Sequence, residues 1–105
     1  MLFRSVIVAT EFGRTAAENG TGGTDHGTGS VAWLLGGAVR GGRVLADWPG
    51  LGASQLYEGR DLKPTHALDA VIATALAQHF GQDPGRLAAA LFPDTGAKAL
   101  SEQFV

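Results

Sequence analysis

Three features of the sequence predict an α/β domain: an unbroken apolar strand, a glycine-dense loop and two helical segments in the second half. The chain has 105 residues, 45% of them apolar, which is enough for one modest hydrophobic core. Ten of its sixteen glycines lie between residues 13 and 42. A glycine-rich stretch of this length in so short a chain predicts a functional loop.

Composition excludes several classes of protein. Eight Lys and Arg residues against ten Asp and Glu residues give a net charge of −2, which argues against nucleic-acid binding. The absence of cysteine excludes disulfides and thiolate-bound metals. Apolar runs such as residues 6–9 are far too short for a membrane span. Met1 opens no signal peptide, so a cytoplasmic location is expected if Met1 is the native start.

Two short apolar runs predict strands. In residues 2–10 the consecutive Val6, Ile7 and Val8 predict a central strand buried on both faces, with helices on each side. Residues 30–35 predict a second strand, which ends at a pair of glycines. The glycine pair at positions 41 and 42 then predicts a tight turn and a hairpin with residues 43–46.

The second half of the chain predicts two helices. Residues 65–80 begin with Thr65 as N-cap and end before Gly81 in the C-terminal cap position. A second, shorter helix is expected from Asp83 as N-cap and Pro84 at the first helical position, with residues 94–105 a weak helix or disordered. The first helix carries one apolar stripe at helical spacing: Leu68, Val71, Ile72, Ala75, Leu76 and Phe80.

These elements are too few to cover a central strand on both faces. The sequence therefore predicts part of a larger sheet, completed by a second copy of the chain or by a missing N-terminal portion. An incomplete sheet exposes a strand edge or an apolar face, so we expect the isolated chain to self-associate.

Two segments carry side chains capable of chemistry. Glu11 and Arg14 follow the first strand, and Asp25 and His26 lie in the glycine loop. Carboxylates and neutral imidazole are ligands of zinc, manganese and magnesium, so Glu11, His26 and Asp25 are candidate ligands of a divalent metal. Two clear ligands, with Asp25 as a third only if the loop turns it inward, predict weak binding.

The same segments also fit an anion site or a structural role. We expect Glu11, Arg14 and His26 to converge, with a guanidinium and glycine-loop amides available to an anionic small molecule. In the structural alternative, Glu11 pairs with Arg14, Asp25 makes an Asx-turn and His26 bonds a carbonyl. The candidate anion-binding residues are Arg14, Thr15, Gly27 and Thr28.

Five ordered motifs give the chain a resemblance to a bacterial family, domain-of-unknown-function family 1501. The resemblance runs from about Val6 to Pro93 and implies the C-terminal part of longer proteins, which are often exported to the periplasm. The motifs occupy residues 10–15 (TEFGRT), 23–27 (GTDHG), 35–37 (LGG), 47–51 (DWPGL) and 61–65 (DLKPT).

That family is in turn distantly similar to the alkaline phosphatase and sulfatase superfamily. The similarity implies that residues 1–105 form one incomplete domain, part of a three-layer α/β/α sheet. It puts Glu11 and His26 at metal-ligand positions, while Phe12 stands where a histidine ligand would be. It further implies a C-terminal fragment of a metal-dependent hydrolase that is not catalytic by itself. The alternative is a non-catalytic binding or assembly domain that retained the fold.

Overall fold

The computed structural model describes residues 4–105. Within that range the chain forms strand β1 (Ser5–Val8), strand β2 (Trp33–Gly36), helix α1 (Leu68–Phe80) and helix α2 (Pro84–Leu91), with one 3-10 turn at Ala53–Gln55. The described residues divide into two compact units. The first comprises residues 4–8, 33–45 and 66–105, and the second comprises residues 9–32 and 46–65. Helices together with a small sheet are compatible with the predicted α/β class.

Strands β1 and β2 form a two-stranded antiparallel ribbon. Val6 pairs with Leu35, Ile7 with Leu34, and Val8 with Trp33. Both strands are shorter than predicted, since β1 ends at Val8 and β2 begins three residues later than expected. Leu2 and Phe3, the start of the predicted first strand, lie outside the described residues.

Two strand predictions are wrong. The first strand is not buried on both faces: Val6 is 55% exposed and Val8 41% exposed, because helix packs on one side of the ribbon only. The predicted hairpin with residues 43–46 does not form, since β2 pairs with β1 instead. The Arg43 side chain instead donates to the backbone carbonyls of Arg40 and Gln103, which holds this segment in an irregular conformation.

Two of the three helix ends for which the sequence predicts a signal follow that signal. Helix α1 ends at Gly81, whose φ of 64° is the left-handed conformation that glycine favours. Helix α2 begins as predicted, with Pro84 in the first turn and the Asp83 carboxylate accepting from the Gly85 amide at 3.2 Å. The predicted cap at Thr65 is wrong, because α1 begins at Leu68 without a side-chain cap.

Helix α1 buries mainly its small residues, and Ala75 is the one member of the predicted apolar stripe that is buried. Leu68 and Phe80, the two ends of that stripe, are exposed. The core of the first unit consists of Ala70, Ala73, Thr74, Ala75 and Ala77 of α1, with Ala88 and Phe104. Helices α1 and α2 pack against each other in this unit.

The C-terminal segment is irregular and attached to α1. The Gln78 side-chain oxygen accepts from the Phe104 amide at 2.7 Å and from the Val105 amide at 3.1 Å, while its amide nitrogen donates to the Glu102 carbonyl. The Leu100 amide donates to the Thr74 hydroxyl at 2.9 Å. These bonds place Phe104 in the core, so the segment is ordered by α1 rather than by helix formation of its own.

One side of the ribbon faces α1 across a small apolar pocket. Ser5, Ile7 and Leu34 of the ribbon line a cavity of about 110 Å³ together with Leu76 and His79 of α1. A hydrogen bond of 3.1 Å joins the Ser5 hydroxyl to His79 Nδ1. Helix α1 therefore covers the ribbon face that carries Ser5, Ile7 and Leu34. Among residues 4–105, no helix has the length and apolarity that crossing a membrane requires.

Candidate functional site

All seven predicted site residues belong to the second unit, where three short extended segments pair antiparallel. The central segment, residues 13–16, pairs with residues 25–27 on one side and with residues 60–62 on the other. The Gly27 amide donates to the Gly13 carbonyl at 2.7 Å, and the Thr15 amide donates to the Asp25 carbonyl at 3.1 Å. On the other side, amides of Leu62 and Ala16 donate to carbonyls of Arg14 and Arg60.

This pairing puts the Arg14 and His26 side chains on the same side. The two residues lie directly opposite each other in an antiparallel bridge, and the backbone hydrogen bonds flank the pair rather than joining it. In such a pair the Cα atoms are about 4.5 Å apart and the side chains are close neighbours. Both residues are exposed. We refer to them as the Arg14–His26 pair.

The next position along the segment points inward. Thr15 lies opposite Asp61, and both are buried, as expected from the alternation of side chains along extended backbone. The Thr15 hydroxyl accepts from the Asp25 amide at 3.1 Å. Thr15, one of the predicted anion-binding residues, therefore holds the glycine loop in place from within.

Asp61 is a central residue of this unit and was not among the predicted site residues. Its carboxylate accepts from the Thr28 hydroxyl at 2.7 Å and from Arg60 Nε at 2.8 Å. The Thr28 hydrogen bond is the largest influence on the pKa of Asp61 and lowers it, Arg60 lowers it further, and burial opposes both. The ionised Asp61 carboxylate therefore holds Thr28 in position, and with it the neighbouring residues Gly27 and Gly29.

No local signal points to Asp61, because its main partner, Thr28, is 33 positions away. Asp61 is, however, the first residue of the motif at residues 61–65 that resembles the family, and that motif is the one feature of the sequence that could have pointed to it.

Three glycines of this unit are required by close backbone contacts. A Cβ on Gly13 would lie 2.6 Å from the Gly27 carbonyl oxygen, and a Cβ on Gly29 would lie 2.7 Å from the Leu62 carbonyl oxygen. A Cβ on Gly27 would collide with the backbone of Arg14. The amides of Gly27 and Gly29 already donate within the chain, so these glycines serve segment packing rather than an anion cradle.

Asp25 and Arg14 make hydrogen bonds other than the predicted ones. One Asp25 carboxylate oxygen accepts from the Asn19 side chain at 3.1 Å, and Asn19, rather than Asp25, makes the Asx-type turn. The Arg14 guanidinium donates one hydrogen bond, at 3.1 Å, to the Thr24 carbonyl. Within the described residues no ion pair joins Glu11 to Arg14, so that alternative prediction is wrong.

The residues present do not make up the metal site that the resemblance implies. In the part of the chain that the structure describes, no three His, Asp or Glu side chains are grouped so that they could hold a metal ion. Phe12, at the position of a missing ligand, is exposed and contributes only its amide, which donates to the Thr10 hydroxyl at 3.2 Å. A zinc site takes at least three protein ligands, and Glu11, Asp25 and His26 are not gathered into such a set.

The side chains of the Arg14–His26 pair offer hydrogen-bond donors of the kind that an oxyanion accepts. A guanidinium has five N–H donors, of which Arg14 uses one on Thr24, and an imidazole beside it adds another donor. Because Thr15, Thr28 and Asp61 hold the paired backbone segments in place, the separation of the Arg14 and His26 Cα atoms is set before any ligand arrives.

A comparison with family models matches residues 5–92 to the family described as "Protein of unknown function (DUF1501)". No curated protein matches the chain. No solved structure matches it either.

Proposed function

We propose that this chain, which belongs to the DUF1501 family, supplies an oxyanion-binding surface to a phosphatase- or sulfatase-like hydrolase and is not catalytic by itself. The ligand class is a phosphate or sulfate monoester, whose tetrahedral oxyanion accepts several hydrogen bonds. The proposed binding residues are Arg14 and His26. In this proposal residues 1–105 are one incomplete domain of an alkaline phosphatase-like fold, and the nucleophile lies elsewhere in the complete enzyme.

The Arg14–His26 pair is the observation that carries the proposal. Arg14 supplies a permanent positive charge and paired N–H donors, which suit the geometry of a phosphate or sulfate group. His26 lies directly opposite and is exposed, so both side chains can reach one small anion.

The surroundings of the pair further support a binding role. The backbone that carries the Arg14–His26 pair is held in place by Thr15, Thr28 and Asp61, which are buried or hydrogen-bonded. Ligand binding therefore has to order the two side chains but not their backbone. The proposal includes no metal step, because Glu11, Asp25 and His26 do not form a ligand set in this chain.

The proposal is tested by titrating the purified chain with inorganic phosphate and, separately, sulfate, followed by NMR shifts of the Arg14 and His26 side chains. We expect millimolar binding of both anions at pH 6. Arg14→Gln should weaken it at least about tenfold, since a hydrogen bond to a charged group contributes about 1.5–3 kcal/mol. His26→Gln should also weaken the binding, because it removes the imidazole ring opposite Arg14.

The matched control is Arg86→Gln, which removes an exposed arginine of helix α2 in the other unit. It should leave phosphate affinity unchanged. An equal loss in the control, or the absence of any phosphate-induced shift at Arg14 and His26, would contradict the proposal.

A second candidate function is supported by a different observation. The ribbon exposes four large apolar side chains on the side away from α1, which is typical of a surface that another protein covers. A non-catalytic binding or assembly domain would use this surface and would show no affinity for phosphate or sulfate.

A further inference from the structure

The side chain of Asn19, in the glycine loop of the second unit, is held by four hydrogen bonds. Its Oδ1 accepts from the Thr21 amide at 2.9 Å, from the Thr21 hydroxyl at 2.8 Å and from the Gly23 amide at 3.1 Å. Its Nδ2 donates to Asp25 Oδ1 at 3.1 Å. Asn19 is the sole asparagine of the sequence. Three donors on one oxygen fix the side-chain carbonyl in place and polarise it.

The next residue, Gly20, presents a backbone nitrogen beside that carbonyl. Within residues 4–105 the Gly20 amide donates to no acceptor, and a Cβ on Gly20 would meet no atom within 4 Å. The bond from the Thr21 amide to Asn19 Oδ1 makes an Asx-turn, which closes a ring like that of a β-turn. This ring folds Asn19 Cγ back toward the Gly20 nitrogen, so the two atoms are brought together before they react.

We propose that the Asn19–Gly20 peptide is a self-modification site, at which the folded chain promotes the deamidation of Asn19. The Gly20 nitrogen loses its proton to solvent and bonds to Asn19 Cγ, while the carbonyl electron pair moves onto Oδ1. The Cγ–Nδ2 bond then breaks, and Nδ2 takes up a proton from solvent and leaves as ammonia. Water opens the resulting succinimide, so one amide and one water give one carboxylic acid, as aspartate or isoaspartate, and one ammonia.

The three hydrogen bonds to Oδ1 are the reason why folding should accelerate this reaction. Negative charge develops on Oδ1 as the Gly20 nitrogen attacks, and donors already aimed at that oxygen stabilise the transition state more than the ground state. The donors lie 2.8–3.1 Å from Oδ1, which is the distance that such stabilisation requires. In the unfolded chain neither the donors nor the approach of Gly20 to Cγ is fixed.

The product changes the charge of the glycine loop. The Asn19 amide now donates to an Asp25 carboxylate oxygen, and a carboxylate at position 19 would bring a second negative charge close to that oxygen. Two like charges at such a distance repel each other. The Asp25 carbonyl also accepts from the Thr15 amide in the pairing that carries the Arg14–His26 pair. Deamidation should therefore loosen the glycine loop and lower the stability of the chain.

The test measures the rate of deamidation by mass spectrometry of the peptide that contains position 19. The folded chain and the chain unfolded in guanidinium chloride are incubated at the same neutral pH and temperature. We expect the folded chain to react at least about tenfold faster, which is the effect of one hydrogen bond to a charged group. The products expected are aspartate and isoaspartate at position 19.

Three variants separate the steps of the argument. Thr21→Val removes the hydroxyl donor and should slow the folded chain about tenfold. Thr24→Val is the matched control, since it makes the same change in the same loop at a threonine whose hydroxyl does not donate to Asn19, and its rate should be unchanged. Gly20→Ala has room for its methyl group but crowds the attacking nitrogen, so it should slow folded and unfolded chains alike.

Three outcomes would overturn the proposal. A folded chain that reacts no faster than the unfolded chain would show that the hydrogen bonds protect Asn19, and this comparison decides even if Thr21→Val fails to fold. Equal rates for Thr21→Val and Thr24→Val would exclude stabilisation of Oδ1. The reacted chain, separated by ion exchange, should unfold at a lower temperature than the unreacted chain, and equal unfolding temperatures would contradict repulsion by Asp25.

Discussion

The Thr28 hydroxyl donates a 2.7 Å hydrogen bond to the buried Asp61 carboxylate, across 33 positions of sequence. This bond ties the glycine loop to the segment at residues 60–62, and the central segment at residues 13–16 pairs with both. The outward pair of Arg14 and His26 depends on that arrangement, because its backbone is held by these contacts. Stability of the second unit and geometry of the proposed oxyanion site are therefore linked.

Thr28→Val should destabilise the second unit. Valine has nearly the shape of threonine but cannot donate to Asp61, which leaves a buried carboxylate oxygen without its main partner. We expect the midpoint of thermal unfolding to fall by several degrees, measured by circular dichroism. Thr24→Val is the matched control, since Thr24 is not bonded to Asp61. It should lower the midpoint of thermal unfolding much less. Equal effects of the two variants would show that the bond to Asp61 is not what stabilises the loop.

Asp61 should make the stability of the chain decrease at acidic pH. The Thr28 hydroxyl and then Arg60 hold the pKa of Asp61 below its ordinary value, so the folded state favours the ionised carboxylate. That stabilisation is present above the unfolded pKa of about 3.9 and is lost as pH falls through the lower folded pKa.

Denaturant midpoints measured from pH 7 to pH 2.5 test this dependence. Asp61→Asn should be less stable than the unchanged chain at pH 7. The difference between their denaturant midpoints should stay constant down to about pH 5 and disappear below about pH 4. A difference that stays the same at every pH would mean that the charge of Asp61 does not contribute to stability.

Gly27→Ala should disrupt the contact between the two segments that carry the Arg14–His26 pair. The added methyl group would collide with the Arg14 carbonyl, so one segment must move, at a cost of about 1–3 kcal/mol in the free energy of unfolding. Gly20→Ala is the control, because a Cβ there has open space around it and should be neutral or slightly stabilising. Urea denaturation of both variants measures the difference, and a neutral Gly27→Ala would contradict the described backbone contact.

Gln78→Ala should release the C-terminal segment from α1. One side chain forms three hydrogen bonds to that segment, and their loss is expected to lower the free energy of unfolding by about 1–3 kcal/mol. Hydrogen exchange at the Phe104 and Val105 amides should accelerate first. Gln82→Ala, just beyond the helix, is the control. Unchanged protection at Phe104 would refute the role of Gln78.

Local signals predicted the parts of this fold that depend on neighbouring residues. The left-handed Gly81 and the Asp83–Pro84 start of α2 are such features, since each depends on a few adjacent positions. The same reasoning failed for Thr65, where the helix begins three residues later without a side-chain cap. Helix stability comes mainly from packing, which moves a boundary that propensity alone would set elsewhere.

Long-range contacts explain the remaining differences. The partner of β1 is β2, 25 or more positions away, and no spacing rule could choose it over the predicted hairpin. The apolar stripe of α1 was predicted by periodicity, but the folded helix buries mainly its small residues and leaves Phe80 exposed. The proximity of Arg14 and His26 was expected from the glycine loop, whereas Asp61 required a contact that only the folded chain reveals.

A double-mutant cycle on phosphate affinity tests the central claim most directly, namely that Arg14 and His26 bind one oxyanion together. Phosphate affinities of the unchanged chain, Arg14→Gln, His26→Gln and the double variant are measured at pH 6 by NMR titration. If both side chains contact the same anion, the double variant should lose less than the sum of the single losses, with a coupling of about 0.5–3 kcal/mol. Strictly additive losses, or no phosphate binding by the unchanged chain, would contradict a shared site.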